Sequence, residues 1–341
     1  MKHMVDLGKY PIRTDLITEI LENKESQGFK NVVIMEEDIK VNEVILEKDG
    51  ASALKKKEGN YITIEFDDVT DKDNYKKVSQ VFEKYLKRIL KKNKIQKDSK
   101  FLIVGLGNEQ STPDSLGPKA LDFVLVTRPL FFFHQNGEGY RETSVLKPGV
   151  FGSSGIETAD RIAKVVELIH PDFILVIDAL ASSSIQRVNK TIQITDTGIH
   201  PGSGIGNDRK EISKESLKVP VIAIGIPTVV DAATIVTNTI FYLYQYFSYS
   251  KKTMNHPSNK LKVKMENYLE KAEDLEKEEK KMLLGLLGGL EEEELRSLIK
   301  DVLTPIDYNF MVTPKEIDFV VSKLSKLIGE GINKVLHKNY E

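Results

Sequence analysis

The stretch Phe101-Leu-Ile-Val-Gly-Leu-Gly-Asn-Glu-Gln-Ser-Thr-Pro-Asp-Ser-Leu-Gly-Pro118 constrains this chain more than any other. Its four leading apolar residues have the length and composition of a buried strand. Gly105 and Gly107 interrupt the run and permit a tight turn. Thr112, Pro113 and Asp114 then read as a helix start, with Thr112 at the N-cap, Pro113 at the first helical position and Asp114 in the first turn. The segment is therefore strand, glycine turn and helix, with a carboxylate at the helix mouth. In an open parallel sheet, sites form beyond the carboxyl ends of strands. A second apolar run, Pro171-Asp-Phe-Ile-Leu-Val-Ile-Asp-Ala-Leu180, stops on Asp178. Between the two, Ile156, Ala159, Ile162, Ala163, Val166 and Ile169 recur at helical spacing and supply a crossover. If the two strands are parallel neighbours, Asp114 and Asp178 face one crevice. Two such carboxylates can share a proton, one activating water while the other donates. The plain alternatives are a helix cap for Asp114 and a turn residue for Asp178.

Composition narrows the class. The chain has 341 residues, 49 Lys and Arg against 51 Asp and Glu, and a formal net charge of -2. That balance argues against a direct nucleic-acid partner, whose recognition leans on clustered basic charge. There is no cysteine, so no thiolate nucleophile, disulfide or thiolate metal site is expected. No apolar run approaches the roughly 18 residues of a membrane span, and the first residues lack a signal-peptide core. The expectation is a cytoplasmic protein without a membrane partner.

The expected architecture is α/β, a doubly wound, mostly parallel sheet flanked by helices, with added strands and a helical C-terminal extension. Asn31–Met35, Val44–Leu46 and Tyr61–Phe66 read as strands, and residues 73–95 as a helix with Tyr75, Val78, Phe82, Tyr85 and Leu86 on one face. The Lys-rich end of that helix reads as a solvated face. Residues 128–157, with Phe131, Phe132, Phe133 and His134, form a long excursion between elements, and His134 reads as a surface histidine. Thr191–Thr195 is a further strand that leads into a glycine-rich loop at 196–209. The loop glycines permit close approach of a peptide, and their N–H groups could support an oxyanion. His200 in this loop is a candidate support residue. With no HExxH pair or comparable spacing, neither a metal nor another cofactor is expected. Gly105-Leu-Gly lacks the third glycine and the downstream acid of a dinucleotide site. Val219–Gly225 reads as a strand, and Pro227-Thr228 as the start of a long helix with Asp231 in its first turn. Asp231 is a second candidate support residue, with a helix-dipole contact as the plain alternative. Thr313-Pro-Lys-Glu316 reads as a capping box before a final helix over 314–337.

Four segments together carry a resemblance. Ser-Thr-Pro-Asp-Ser-Leu-Gly-Pro at 111–118, Val-Ile-Asp-Ala-Leu-Ala at 176–181, Thr-Asp-Thr-Gly-Ile-His-Pro-Gly-Ser-Gly-Ile-Gly-Asn at 195–207 and Gly-Ile-Pro-Thr-Val-Val-Asp-Ala at 225–232 resemble the spore germination proteases of endospore-forming bacteria. The resemblance covers nearly the whole chain. It implies an endopeptidase that starts the degradation of small acid-soluble DNA-protecting spore proteins during germination, located in the forespore and spore core. It implies an atypical aspartic protease whose catalytic pair falls on Asp114 and Asp178, and a fold like that of the hydrogenase maturation peptidases. It also implies a homotetramer and a zymogen that removes a short leader by cutting itself. Family substrates are cut after an acidic residue that precedes a bulky apolar one, and Arg13-Thr14-Asp15-Leu16 offers that pattern. Residues 1–15 are thus expected as a propeptide, with cleavage between Asp15 and Leu16. Residues 16–341 are expected as a single catalytic domain, with 251–341 as its helical extension. Asp196-Thr197-Gly198 spells the pepsin-like triplet once, which reads as coincidence. The competing readings are a metal-dependent maturation endopeptidase of the same fold and a non-catalytic protein-binding module.

Overall fold

Two interleaved apolar sets along each central strand bury both faces of one sheet. The computed structural model describes residues 14–21, 28–135, 137–202, 209–253, 272–303 and 310–340. These fall into two compact units, one within Arg13–Val230 and Thr313–Glu341, the other within Asp231–Val312. In the larger unit the strands are β1 (Phe29–Glu36), β2 (Ile39–Leu46), β3 (Gly59–Glu65), β4 (Phe101–Gly105), β5 (Thr143–Leu146), β6 (Phe173–Ser182), β7 (Thr191–Thr195) and β8 (Val221–Asp231). Their spatial order is β1-β2-β3-β7-β8-β6-β4-β5.

Only half of this sheet is parallel. β5, β4, β6 and β8 run parallel, whereas β8–β7, β7–β3, β3–β2 and β2–β1 are antiparallel. The expectation of a mostly parallel sheet is corrected to a mixed one. The reason is local at one end and distant at the other. β1 and β2 close through a two-residue turn in which Glu37 and Asp38 both take positive φ, 49° and 70°, the geometry of a tight hairpin. β3 and β7 pair across a long separation, Tyr61 opposite Thr195. The excursion at 128–157 also contains β5, paired with β4.

One face carries Leu175, Ile177, Ile192, Ile194, Ile222 and Ile224 against the helices Lys72–Lys92 and Ile317–Leu336. The other carries Leu102, Val104, Ile174 and Val176 against the helix Thr158–Ile169, through Ala159, Ile162 and Val166. The alternation of β-strands makes both faces possible within one strand. Phe101 and Phe173 stack at 5.7 Å at the start of β4 and β6. The capping box expected at Thr313 does not form. Glu316 is the N-cap and makes no side-chain cap bond, while the Thr313 hydroxyl donates to the Thr228 carbonyl.

The second unit contains the helices Ala232–Thr253, Lys277–Leu284 and Glu292–Leu303 and the short strand β9 (Met311–Val312). Ala233, Leu295 and Ile299 form its apolar contact. Among the described residues, no helix is long and apolar enough to cross a membrane.

His337, at the end of the last helix, is 1% exposed and accepts the Arg141 N–H at Nδ1, 3.3 Å away. Burial pushes it down to about 4, and the Arg141 charge adds to this. The unfolded chain therefore gains a proton near 6.5 that the folded chain refuses until about 4. Stability falls as pH drops through that window. Between pH 7 and pH 4.5 His337→Gln should lose less stability than the unaltered chain, by on the order of 1–2 kcal/mol once solvent screening is discounted. Urea unfolding at pH 7 and pH 4.5 checks it.

Candidate active site

The site forms where β4 stops and β6 does not. β4 ends at Gly105, opposite Ile177, and the Leu106 N–H closes the junction by donating to the Ile177 carbonyl at 2.8 Å. β6 then continues to Ser182 against β8. Asp178 is therefore inside a strand rather than at its end, as the stop in the apolar run had suggested. β8 keeps β6 extended, and only the β4 side opens. At this point β6 presents Asp178 beside a vacated edge.

Asp114 reaches the same place on a 3-10 turn, Thr112–Asp114, followed by the short helix Leu116–Ala120. The expected Thr112 cap is absent. Ser111 is the N-cap and its side chain makes no cap bond. The Asp114 carboxylate instead turns back to accept the Asn108 N–H at 2.7 Å. The Thr228 hydroxyl of β8 donates to the Pro113 carbonyl at 2.7 Å and fastens the turn. Gly107, at φ +112°, is required here because a Cβ would lie 2.0 Å from the Asp114 carbonyl oxygen. Gly117 is the other contact point, since its Cβ would lie 2.3 Å from the Leu106 oxygen and 2.5 Å from the Ile177 oxygen. Gly117→Ala should push the short helix off the strand ends. The expected cost is about 1–3 kcal/mol, typical of overpacking, with proteolytic activity reduced roughly tenfold or more by displacement of Asp114. Urea unfolding and a proteolysis rate on the same preparation test both parts.

Burial holds the Asp178 carboxyl well above the usual carboxylate range, and the negative charges of Asp114 and Asp15 raise it further; the Ala179 N–H, 2.9 Å from Oδ1, opposes them. Burial also raises Asp114, against the Asn108 N–H. Desolvation thus sets the behaviour of Asp114 despite its place at the head of a short helical turn. Asp178 is the more deeply buried of the two and faces both other carboxylates.

A third carboxylate lies beside them. The Asp15 N–H donates to the Ala181 carbonyl at 3.1 Å, and the Ala181 N–H donates to Asp15 Oδ2 at 2.9 Å. Both groups of Ala181 point to one side of its strand, so residues 14–21 lie along the edge that β4 vacates. Leu16 is 0% exposed. Gln193 of β7 spans the junction, with Nε2 donating to the Asp15 carbonyl at 3.1 Å and Oε1 accepting the Ile17 N–H at 2.8 Å. The Thr14 hydroxyl accepts the Leu16 N–H at 3.0 Å. A cavity of about 370 Å³ adjoins this junction, lined by Asp15, Lys56, Leu180, Gln193, His200 and Gly225 among others. Burial lowers the Lys56 ammonium while the Asp15 charge holds it up.

The structure brings Asp15, Leu16, Asp114 and Asp178 together. His200 lines the adjoining cavity, with Nε2 3.5 Å from the Glu211 carboxylate. Asp231 belongs to the second unit. Pro227 and Thr228 remain in β8, so the helix expected from that point starts only at Ala232. Asp231 caps it, its carboxylate accepting the Ala233 N–H at 2.8 Å. Asp196 accepts from the Asn60 backbone and side chain and from Asn93, which commits it to holding β3, β7 and the helix end. In the glycine-rich loop the Ile199 N–H is paired with the Ile212 carbonyl, so that amide does not face a ligand. Gly204 and Gly206 lie outside the described residues. Among the described residues, no three His, Cys, Asp or Glu side chains cluster as metal ligands do. The local sequence does not mark Gln193, Lys56 or Glu19 as site residues. A polar residue centred in the buried run Thr191-Ile-Gln-Ile-Thr195 was the available signal for Gln193.

A family model described as germination protease matches residues 14–341. The germination protease of Bacillus cereus strain AH187 is 44% identical over 354 residues, covering 99% of this chain and 96% of the relative. The germination protease of Bacillus anthracis is 44% identical over 355 residues, with the same coverage. The chain belongs to the germination protease family. It is accordingly a peptidase, a hydrolase of spore germination, and proteins are its substrates.

Proposed function

We propose that this germination protease is an endopeptidase working through the Asp114–Asp178 pair, made as a zymogen that cuts itself between Asp15 and Leu16. The observation that carries the reading is the docking of Asp15 on Ala181, three residues beyond Asp178. A bulky apolar residue follows Asp15, and Leu16 is fully buried, as expected of a bound cleavage sequence. High effective concentration favours such an intramolecular ligand.

In this mechanism Asp114 takes a proton from water as the water oxygen bonds to the carbonyl carbon. Asp178, protonated at the outset, donates first toward the carbonyl oxygen. Its proton then passes to the amine nitrogen as the carbon–nitrogen bond breaks. The pair titrates as a unit, so the roles describe one proton shared between two sites. The substrates are small acid-soluble spore proteins, cut after an acidic residue; Lys56 stands where such a side chain would need a cation. Assembly as a homotetramer in the forespore and spore core, and a fold kinship with the hydrogenase maturation peptidases, belong to the same reading.

The test is incubation of the purified chain with a small acid-soluble spore protein, with and without a chelator. Cleavage after an acidic residue, unchanged by chelation, is the expected result. Chelator-sensitive cleavage would move the protein to the metal-dependent class, and stable binding without cleavage would make it a binding module.

A further inference from the structure

Cross-strand pairing sets three residues in one row. Asp178 of β6 pairs with Gly225 of β8, and Gln193 of β7 pairs with the same Gly225. Their neighbours Ile177, Ile192, Ile194, Ile224 and Ile226 all enter the core on the opposite face. Alternation therefore puts Asp178 and Gln193 on the same face, two strands apart, or roughly 10 Å between backbones. Between them Gly225 offers no side chain, and a Cβ there would lie 2.4 Å from Leu180 Cδ1. The row has an acid at one end and a carboxamide at the other, with the Leu180 side chain lying over Gly225 between them. The Asp15–Leu16 junction is held at this row. Gln193 is 7% exposed, and its amide is fixed by two opposed contacts, Nε2 to the Asp15 carbonyl at 3.1 Å and Oε1 from the Ile17 N–H at 2.8 Å. The carbonyl it holds is the one that water must attack if the chain is cut between Asp15 and Leu16.

We propose that Gln193 is a catalytic residue of this protease, its side-chain N–H holding the scissile carbonyl oxygen and stabilising the oxyanion formed there. The inference rests on the Asp15–Leu16 cleavage reading and deepens it. When water adds, the carbonyl π electrons move onto an oxygen already 3.1 Å from a fixed donor, so little reorganisation is needed. The same carboxamide clamps the chain two residues further on, which fixes the direction of the bond relative to the row. With the Ile199 N–H paired to Ile212, the side chain supplies what a loop amide supplies in other peptidases. In a protein substrate it would take the carbonyl of the acidic residue before the cut.

The contrast of Gln193→Glu with Gln193→Ala, measured as first-order self-cleavage of the full chain, tests this. Glutamate keeps the shape and the acceptor for Ile17 but replaces the donor with a negative oxygen. Both variants should be slowed about 100- to 1,000-fold, the range for loss of one oxyanion donor, with Gln193→Glu no faster than Gln193→Ala. A role limited to holding the segment through Ile17 would instead leave Gln193→Glu near the wild-type rate. Thermal melts show whether each variant folds; if Gln193→Glu does not, Gln193→Met, which fills the site but offers Ile17 only a weak acceptor and Asp15 no donor, is compared with Gln193→Ala, and a folded Gln193→Ala within tenfold of wild type overturns the proposal. A rate within tenfold of wild type in a folded variant, or Gln193→Glu faster than Gln193→Ala, overturns the proposal. Asp178→Asn run beside them separates the two layers. Its self-cleavage at the wild-type rate overturns the aspartate reading itself, whereas its inactivity beside an active Gln193→Glu overturns the role of Gln193 alone.

Discussion

Asp178→Asn is expected to lower self-cleavage and substrate proteolysis by about 10³-fold or more, within the range for removal of an essential acid–base group. Asparagine keeps the size of the side chain and an oxygen for the Ala179 N–H, now 2.9 Å from Oδ1, but it has no proton to transfer. The same substitution should stabilise the fold. Asp178 has its folded carboxyl raised by burial and by the charges of Asp114 and Asp15. The unfolded chain releases this proton near 3.8, and the folded chain holds it to higher pH. The acid therefore costs nothing below the unfolded value. Its cost grows as pH rises towards the folded value and is constant above it. The melting midpoints of the two proteins should coincide at low pH and separate as pH rises, with the Asn variant higher. Thermal melts across pH 3–8 beside proteolysis rates give both results. An active variant, or one that loses stability at neutral pH, would contradict this account of Asp178.

Glu19→Ala should produce the largest loss of stability. Glu19 has a side chain 1% exposed, 3.5 Å from Arg187. It accepts from the Ser182 hydroxyl at 2.5 Å, the Ser183 N–H at 2.7 Å and the Ser183 hydroxyl at 2.8 Å, and from Thr14. This network ties the helix Ile17–Leu21 to the end of β6, four residues past Asp178. Arg187 keeps a 3.7 Å approach to Glu65, but loses its buried partner in the variant. Breaking a buried pair from one side costs about 3–5 kcal/mol. The cleavage segment should also leave the edge of β6 more often, so self-cleavage should slow along with the loss of effective concentration. Urea unfolding with an unchanged slope and a lower midpoint is the expected result. A loss below about 1 kcal/mol would mean that the network does not anchor the segment. Glu19→Gln, which keeps an acceptor for Ser183, should lose less.

The paired parallel frame was legible because its signals are local. Apolar runs of strand length, a glycine turn and the periodic helix between them place Asp114 and Asp178 beside each other, and β4 does pair with β6 in parallel. Strand direction elsewhere was not legible, because β3 meets β7 only through a long-range pairing. The hairpin between β1 and β2 was hidden by its turn residues, since Glu37 and Asp38 are not the Asn-Gly pair that usually marks positive φ. Pro227 misled because proline ordinarily opens helices. Here it stands in β8 opposite Leu180, where the register with β6 shifts and the ladder is irregular. Asp114 was read as a helix-mouth carboxylate, yet the turn that carries it is too short to supply much dipole, and burial sets its behaviour. Gln193 is not legible in the sequence because its partner is a backbone carbonyl 178 residues away in the chain.

The central claim is that one carboxylate pair cuts the chain at the junction docked beside it. The most direct measurement is an intact-mass time course of the full chain and of its Asp114→Asn and Asp178→Asn variants, with the new terminus sequenced. The account predicts a product beginning at Leu16 from the unaltered chain, unaffected by chelator and absent from both folded variants. A product beginning elsewhere, or a Leu16 terminus formed at full rate by either variant, would contradict it.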